Sequence, residues 1–227
     1  MLPLLLSSRA IRDAVFSENL WEAVPAQSII SLIASSSSNT RKYVDEKLGG
    51  VGSVSADTRK RLAINVAFRG NLGALQWLRD QDPPCPWDAW TCAAAAENGH
   101  LKVLQWMRAQ DPPCPWDAST CSAAASRGHL EVLQWARAQE PPCPWNEETC
   151  SAAASRGHLE VLQWARAQYP PCPWDEETCN SAARGYLKVL QWARAQDPPC
   201  PWKKGNSRYW LERIQDEAFL QWLEGQP

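Results

Sequence analysis

A single stretch of 29 residues recurs along most of the chain and constrains its fold more than any other feature. The clearest copy runs from Cys114 to Pro142 and reads CPWDASTCSAAASRGHLEVLQWARAQEPP. Copies begin at Cys85, Cys114, Cys143, Cys172 and Cys200, in three steps of 29 residues and a last step of 28. A repeat of this length encodes one supersecondary unit that buries its apolar face against neighbouring copies. The period therefore predicts a stack of small units rather than one globule.

Each copy predicts two short helices, here called helix A and helix B. Asp117 is a good N-cap residue for helix A, and Gly128 suits a helix end where the backbone takes positive φ. Helix B follows, with apolar residues on one face between Leu130 and Ala136 and polar residues on the other. Pro141 ends the unit because proline cannot continue a helix.

The segment between the two helices resembles the ankyrin repeat. Two alanines, Gly-His and Leu-x-Val occur in the family's order at Ala124, Ala125, Gly128, His129, Leu130, Val132 and Leu133. The chain departs from the family at Thr120-Cys121, where ankyrins have Thr-Pro-Leu-His, and in its Pro-Pro-Cys-Pro-Trp loop, where they have a Gly-Ala-Asp finger. The resemblance implies an all-α fold, an α-solenoid of about five ankyrin-like helix-turn-helix repeats with helical caps. It also implies a protein-interaction scaffold, and in that family the histidine braces the turn.

The repeat divides the chain into three parts. Residues 1–54 are expected to form an N-terminal helical cap or a short adaptor segment, residues 55–202 the repeat array, and residues 203–227 a capping helix from Tyr209 to Leu223. The run VPAQSIISLI from Val24 resembles the start of an F-box. This leaves open an alternative function as a substrate adaptor for ubiquitin ligation. Counted from the unit that precedes Cys85, the fifth unit contains Gly185. One residue is missing before this glycine, which predicts a helix A that ends one residue early.

The charge and hydropathy of the chain indicate which classes of binding partner to expect. The formal net charge is −2 and the pI about 6.0, so we expect neither nucleic acid nor a membrane surface as partner. The opening run MLPLLL is too short for a signal-peptide core or a membrane span. We therefore expect a monomeric cytoplasmic protein, with nuclear or organellar location left open.

The cysteines and tryptophans recur with the repeat, which favours packing roles. Eight of the nine cysteines fall at two positions per unit, and we interpret them as reduced, buried side chains. Cys121 and His129 are about 12 Å apart at ~1.5 Å per residue, too far to share a zinc ion. Ten tryptophans occupy two repeated positions and are interpreted as core ladders. We expect no cofactor, no metal and no catalytic residue, and therefore no enzyme.

Positions that differ between copies, once the packing positions are removed, predict the protein-binding surface. The predicted surface residues are Trp90, Glu97, Asn98, Ser126, Arg127, Ser155, Arg156, Tyr169 and Arg184. Trp90 and Tyr169 are the best single anchors, because each is aromatic where the other copies carry polar residues, and aromatic side chains are enriched in interface hot spots.

Overall fold

The computed structural model describes residues 55–202 together with residues 221, 222 and 225. This part of the chain is all-helical, with ten helices and no strand. The predicted N-terminal cap, its F-box-like run and nearly all of the predicted C-terminal helix lie outside the described residues. The helices are α1 (Ala56–Phe68), α2 (Leu72–Arg79), α3 (Ala89–Glu97), α4 (Leu101–Arg108), α5 (Ala118–Ser126), α6 (Leu130–Arg137), α7 (Glu147–Ala154), α8 (Leu159–Arg166), α9 (Glu176–Ala182) and α10 (Leu187–Arg194).

The chain divides into two compact units, Met1–Trp87 and Asp88–Pro227. The division falls inside the segment predicted as the repeat array. In the first unit, α1 and α2 form one helix pair. In the second, four pairs follow one another, with helix A being α3, α5, α7 and α9, and helix B being α4, α6, α8 and α10.

In α3, α5 and α9, helix A begins where the sequence predicts, because an aspartate side chain caps its free N–H groups. Asp117 accepts a hydrogen bond from the backbone N–H of Ser119. Asp88 and Asp175 form full capping boxes with the threonine at the third helical position. Such caps stabilise a helix by about 1 kcal/mol each.

A glycine with positive φ turns the chain from helix A into helix B. Gly128 has φ 75°, a conformation that lets the N–H of His129 reach back to the carbonyl oxygen of Ala124 at 3.0 Å. In the fifth unit, α9 ends at Ala182, one residue earlier in register than α7 does at Ala154. The predicted early end is therefore confirmed, and Gly185 follows with φ 139°.

Within the second unit, the A helices pack side by side in sequence order, α3 on α5, α5 on α7 and α7 on α9. In α5 the buried face consists of Thr120, Cys121, Ala124 and Ala125. These small side chains let neighbouring helices approach closely. The B helices bury a valine, a leucine and a small or flexible residue in each copy, for example Val132, Leu133 and Ala136 in α6.

The tryptophans do not form the core ladders that the sequence predicts. The buried apolar residues of the described chain include none of them, and Trp116 and Trp135 are partly exposed. The core consists instead of Leu, Val, Ala and Cys. The indole rings are too large for the narrow space between closely packed helices, so they lie at its margin.

No helix among the described residues is long and apolar enough to cross a membrane.

Candidate protein-binding surface

The A helices of the second unit share a face that carries almost no large side chains. One column across the four pairs is Ala94, Ala123, Ala152 and Ser181, and the adjacent column is Ala93, Ser122, Ser151 and Asn180. A helix turns by 100° per residue, so these positions lie away from the residues that pack against neighbouring helices. They are partly exposed in α5 and α7, whereas Ala93, Ala94 and Ser181 are buried. The middle A helices therefore form a low surface on which a partner could lie without displacing long side chains.

Trp90 stands at one corner of this surface. It is the second residue of α3 and is 64% exposed. The same position in the next three A helices is Ser119, Glu148 and Glu177. The surface thus has an exposed indole ring at its first helix and carboxylates at its last two.

The C-terminal ends of the A helices carry a second group of predicted residues. Glu97, the last residue of α3, forms an ion pair with Arg127 at 2.9 Å, and its backbone carbonyl accepts a hydrogen bond from Nε2 of His129 at 3.1 Å. Both contacts join one repeat to the next. The ion pair is partly exposed, so it contributes only about 0–1 kcal/mol, whereas the histidine contact is part-buried and repeats in the next pair of helices.

The other turn residues follow this arrangement with one difference in charge. In the next copy, Ser126 stands where Glu97 does, so Arg156 faces no glutamate and is exposed. Arg184, two residues after the end of α9, pairs with Glu177 of that helix at 3.3 Å. Ser126 and Ser155 donate to helix carbonyls at 2.8 Å.

The turns also enclose an open space. A depression of about 360 Å³, lined by Gly128, Gly157 and His158 among others, lies beside the turns that carry Arg127 and Arg156. Asn98 is the C-cap residue that follows α3, and its side-chain amide donates to the carbonyl of Ala94 at 3.3 Å. Most of the predicted turn residues therefore support the turns themselves.

Tyr169 lies in the loop between α8 and α9 and is fully exposed, at 100%. Equivalent positions in the neighbouring loops are Asp111, Glu140 and Asp197. The tyrosine is the one aromatic residue in a column of carboxylates, and its hydroxyl and ring are both open to solvent.

The predicted residues thus fall into separate groups. Trp90 lies at the N-terminal end of an A helix, and the turn residues lie at the C-terminal end, about 12 Å away for a nine-residue helix. Tyr169 belongs to a loop two helix pairs after Trp90. Binding through either aromatic side chain stays a prediction.

Sequence reasoning missed a repeated stack of arginine and tryptophan at the loop side of the array. Arg108 lies 4.1 Å from the ring centroid of Trp116, which meets Trp135 edge-on at 5.9 Å. The same arginine donates to the carbonyl oxygen of Cys114 at 2.6 Å. The signal was present in the sequence, since an arginine stands eight residues before the Trp of each loop.

All nine cysteines are free and buried. The thiol of Cys92 lies against the backbone carbonyl oxygen of Cys114, and the thiol of Cys121 lies against that of Cys143. The neighbouring Cys92 thiol and burial hold the pKa of Cys114 far above its ordinary value. In the described part of the chain, no group of three or more His, Cys, Asp or Glu side chains is arranged to hold a metal ion.

No family model matches the sequence, and no curated protein matches it either.

Proposed function

We propose that the chain is a non-catalytic protein-binding scaffold whose helix pairs stack as an ankyrin-like solenoid. The observation that carries the proposal is the low surface of the A helices, bordered by the exposed ring of Trp90. Because alanine and serine side chains are short, a partner can contact this surface close to the helix backbone. The exposed aromatic side chain supplies an anchor, since a few such residues carry most of the binding energy of an interface. The carboxylates Glu148 and Glu177 would give the partner its orientation.

The internal symmetry of the array supports the same function. Two cysteines recur in each helix pair of the second unit, and three of the five helix pairs carry the turn histidine. These residues serve packing or turns, whereas a nucleophile with its own base requires an unrepeated setting. The A-helix column Trp90, Ser119, Glu148 and Glu177 varies more in size and charge than the neighbouring column Ala94, Ala123, Ala152 and Ser181. A few varied side chains on a surface of small ones can supply specificity for one partner.

Site-specific photo-crosslinking in the full-length chain tests the proposal. A photoreactive amino acid is placed at Ala123 on the A-helix surface and, as the matched control, at Gln134 on the exposed side of α6. We expect a protein adduct from Ala123 and not from Gln134, and a several-fold smaller yield when Trp90→Ala is added. Equal adducts from both positions, or none from Ala123, would count against the proposal.

A further inference from the structure

Four pairs of cysteines recur inside the second compact unit. In each pair one cysteine lies in the first turns of helix A and the other in the loop that leaves helix B of the same helix pair. The pairs are Cys92 with Cys114, Cys121 with Cys143, Cys150 with Cys172 and Cys179 with Cys200. We call them the thiol pairs.

The contacts within each thiol pair repeat closely. The thiol of Cys92 donates to the backbone carbonyl oxygen of Cys114 at 3.9 Å, and the thiol of Cys114 donates to the carbonyl oxygen of Asp88 at 3.5 Å. The corresponding distances in the other three pairs are 3.8–4.0 Å and 3.4–3.5 Å. Both side chains of each pair are buried, and each sulfur atom contacts a backbone carbonyl of the segment that carries its partner.

The first compact unit supplies a natural control, because its loop cysteine has no thiol neighbour. Cys85 occupies the loop position and donates to the carbonyl oxygen of Arg59 at 2.8 Å. The helix position that would pair with it is Ala63. An alanine is therefore tolerated at that place in the fold, and the ninth cysteine remains alone.

We propose that the thiol pairs are oxidation sites, at which a peroxide converts each pair into a disulfide that joins the two ends of one helix pair. In the first step, the thiolate of one cysteine attacks a peroxide oxygen, the O–O bond breaks, and a sulfenic acid and water form. In the second step, the other thiol attacks the sulfenic sulfur and a second water leaves. Each pair loses two protons and two electrons, and the peroxide is reduced to two waters.

The surroundings of the sulfur atoms determine the rate of this oxidation. The partner thiol and burial raise the pKa of the Cys114 thiol and of its equivalents, so the reactive thiolate is scarce in the closed structure. Oxidation therefore requires a transient opening of the loop, after which reclosure returns the sulfenic acid to its partner. The reaction would be slow, selective and reversible by a thiol reductant.

Oxidation of the full-length protein tests the proposal. The native chain is treated with hydrogen peroxide at pH 8 and pH 9 and quenched with catalase. Remaining thiols are then alkylated in denaturant, and the disulfides are located by peptide mass mapping. The expected result is a bridge within each of the four pairs, a loss of two hydrogen atoms per bridge, and no intramolecular bridge to Cys85. The same treatment in urea should give mixed pairings.

The variant Cys92→Ala provides the matched control, because it copies the arrangement of Ala63 and Cys85. It should leave Cys114 without a bridge while the other three pairs still form theirs. Native bridges that include Cys85, pairings as mixed as in urea, or oxygen uptake by paired cysteines without bridges would each overturn the proposal. Nine alkylated thiols after the full treatment would do so as well.

Discussion

The substitution Gly128→Ala should destabilise the array through two separable effects. Gly128 has φ 75°, where an L residue costs about 1–2 kcal/mol relative to glycine. An added Cβ would also lie 2.7 Å from Nδ1 of His158 and 2.9 Å from its Cε1. The ring must therefore move and lose its 3.2 Å hydrogen bond to the carbonyl oxygen of Ser126, which is worth about 1 kcal/mol.

The two effects together predict a loss of about 2–3 kcal/mol in the free energy of unfolding. Urea denaturation followed by tryptophan fluorescence measures this, with an unchanged slope as the check that the transition itself is the same. The double variant Gly128→Ala/His158→Ala separates the effects, because without the ring only the backbone cost of alanine remains.

We expect the double variant to be about 1 kcal/mol more stable than the sum of the two single effects, as contacting residues couple in a double-mutant cycle. Gly157→Ala offers a second case, since its Cβ would collide with the ring of Tyr186. If Gly128→Ala unfolds at the parent's urea concentration, or if its effect adds to that of His158→Ala without coupling, the account of this turn is wrong.

Three further predictions concern the loops and the buried thiols. Arg137→Lys should cost about 1–2 kcal/mol, because lysine keeps the charge but loses the planar stack on Trp145 and the bond to the carbonyl of Cys143; an unchanged urea midpoint would show that the stack contributes nothing. Trp135→Ala should cost about 2 kcal/mol, below the 3–5 kcal/mol of a fully buried tryptophan, since the ring is partly exposed; a loss in the full range would return it to the core. Burial raises the pKa of Cys85 from 9.0 to about 11, so its thiol favours the folded state fully below pH 9, and the contribution of Cys85 to stability should fall by about 1.4 kcal/mol per pH unit as pH rises from 9 to 11. Cys85→Ala should make that slope shallower in urea titrations at each pH, and an equal slope in both proteins would refute the assignment.

Local sequence signals predicted the helices and their ends well. The N-cap at Asp117, the positive φ at Gly128 and the early end of α9 before Gly185 each depend on residues within a few positions of one another. Capping and turn geometry are short-range effects, so one copy of the repeat carries the information and its five-fold recurrence reinforces it.

The candidate surface was only partly accessible to the same reasoning. Comparison of copies found Trp90 and Tyr169, and both are exposed. It also selected Glu97, Ser126 and Arg127, which the structure uses to brace adjacent repeats. A position that varies between copies can serve a partner or a neighbouring repeat, and sequence alone does not distinguish the two.

The repeat by itself determined the period, the helix pairs and the burial of small residues. Only the tertiary structure decided which residues about 20 to 30 positions apart in the sequence lie next to each other. It placed Cys92 beside Cys114, and it moved Trp116 and Trp135 from the core to its margin. The physical reason is that the closeness of the A helices, set by alanine and cysteine, leaves room for a thiol between elements but none for an indole ring.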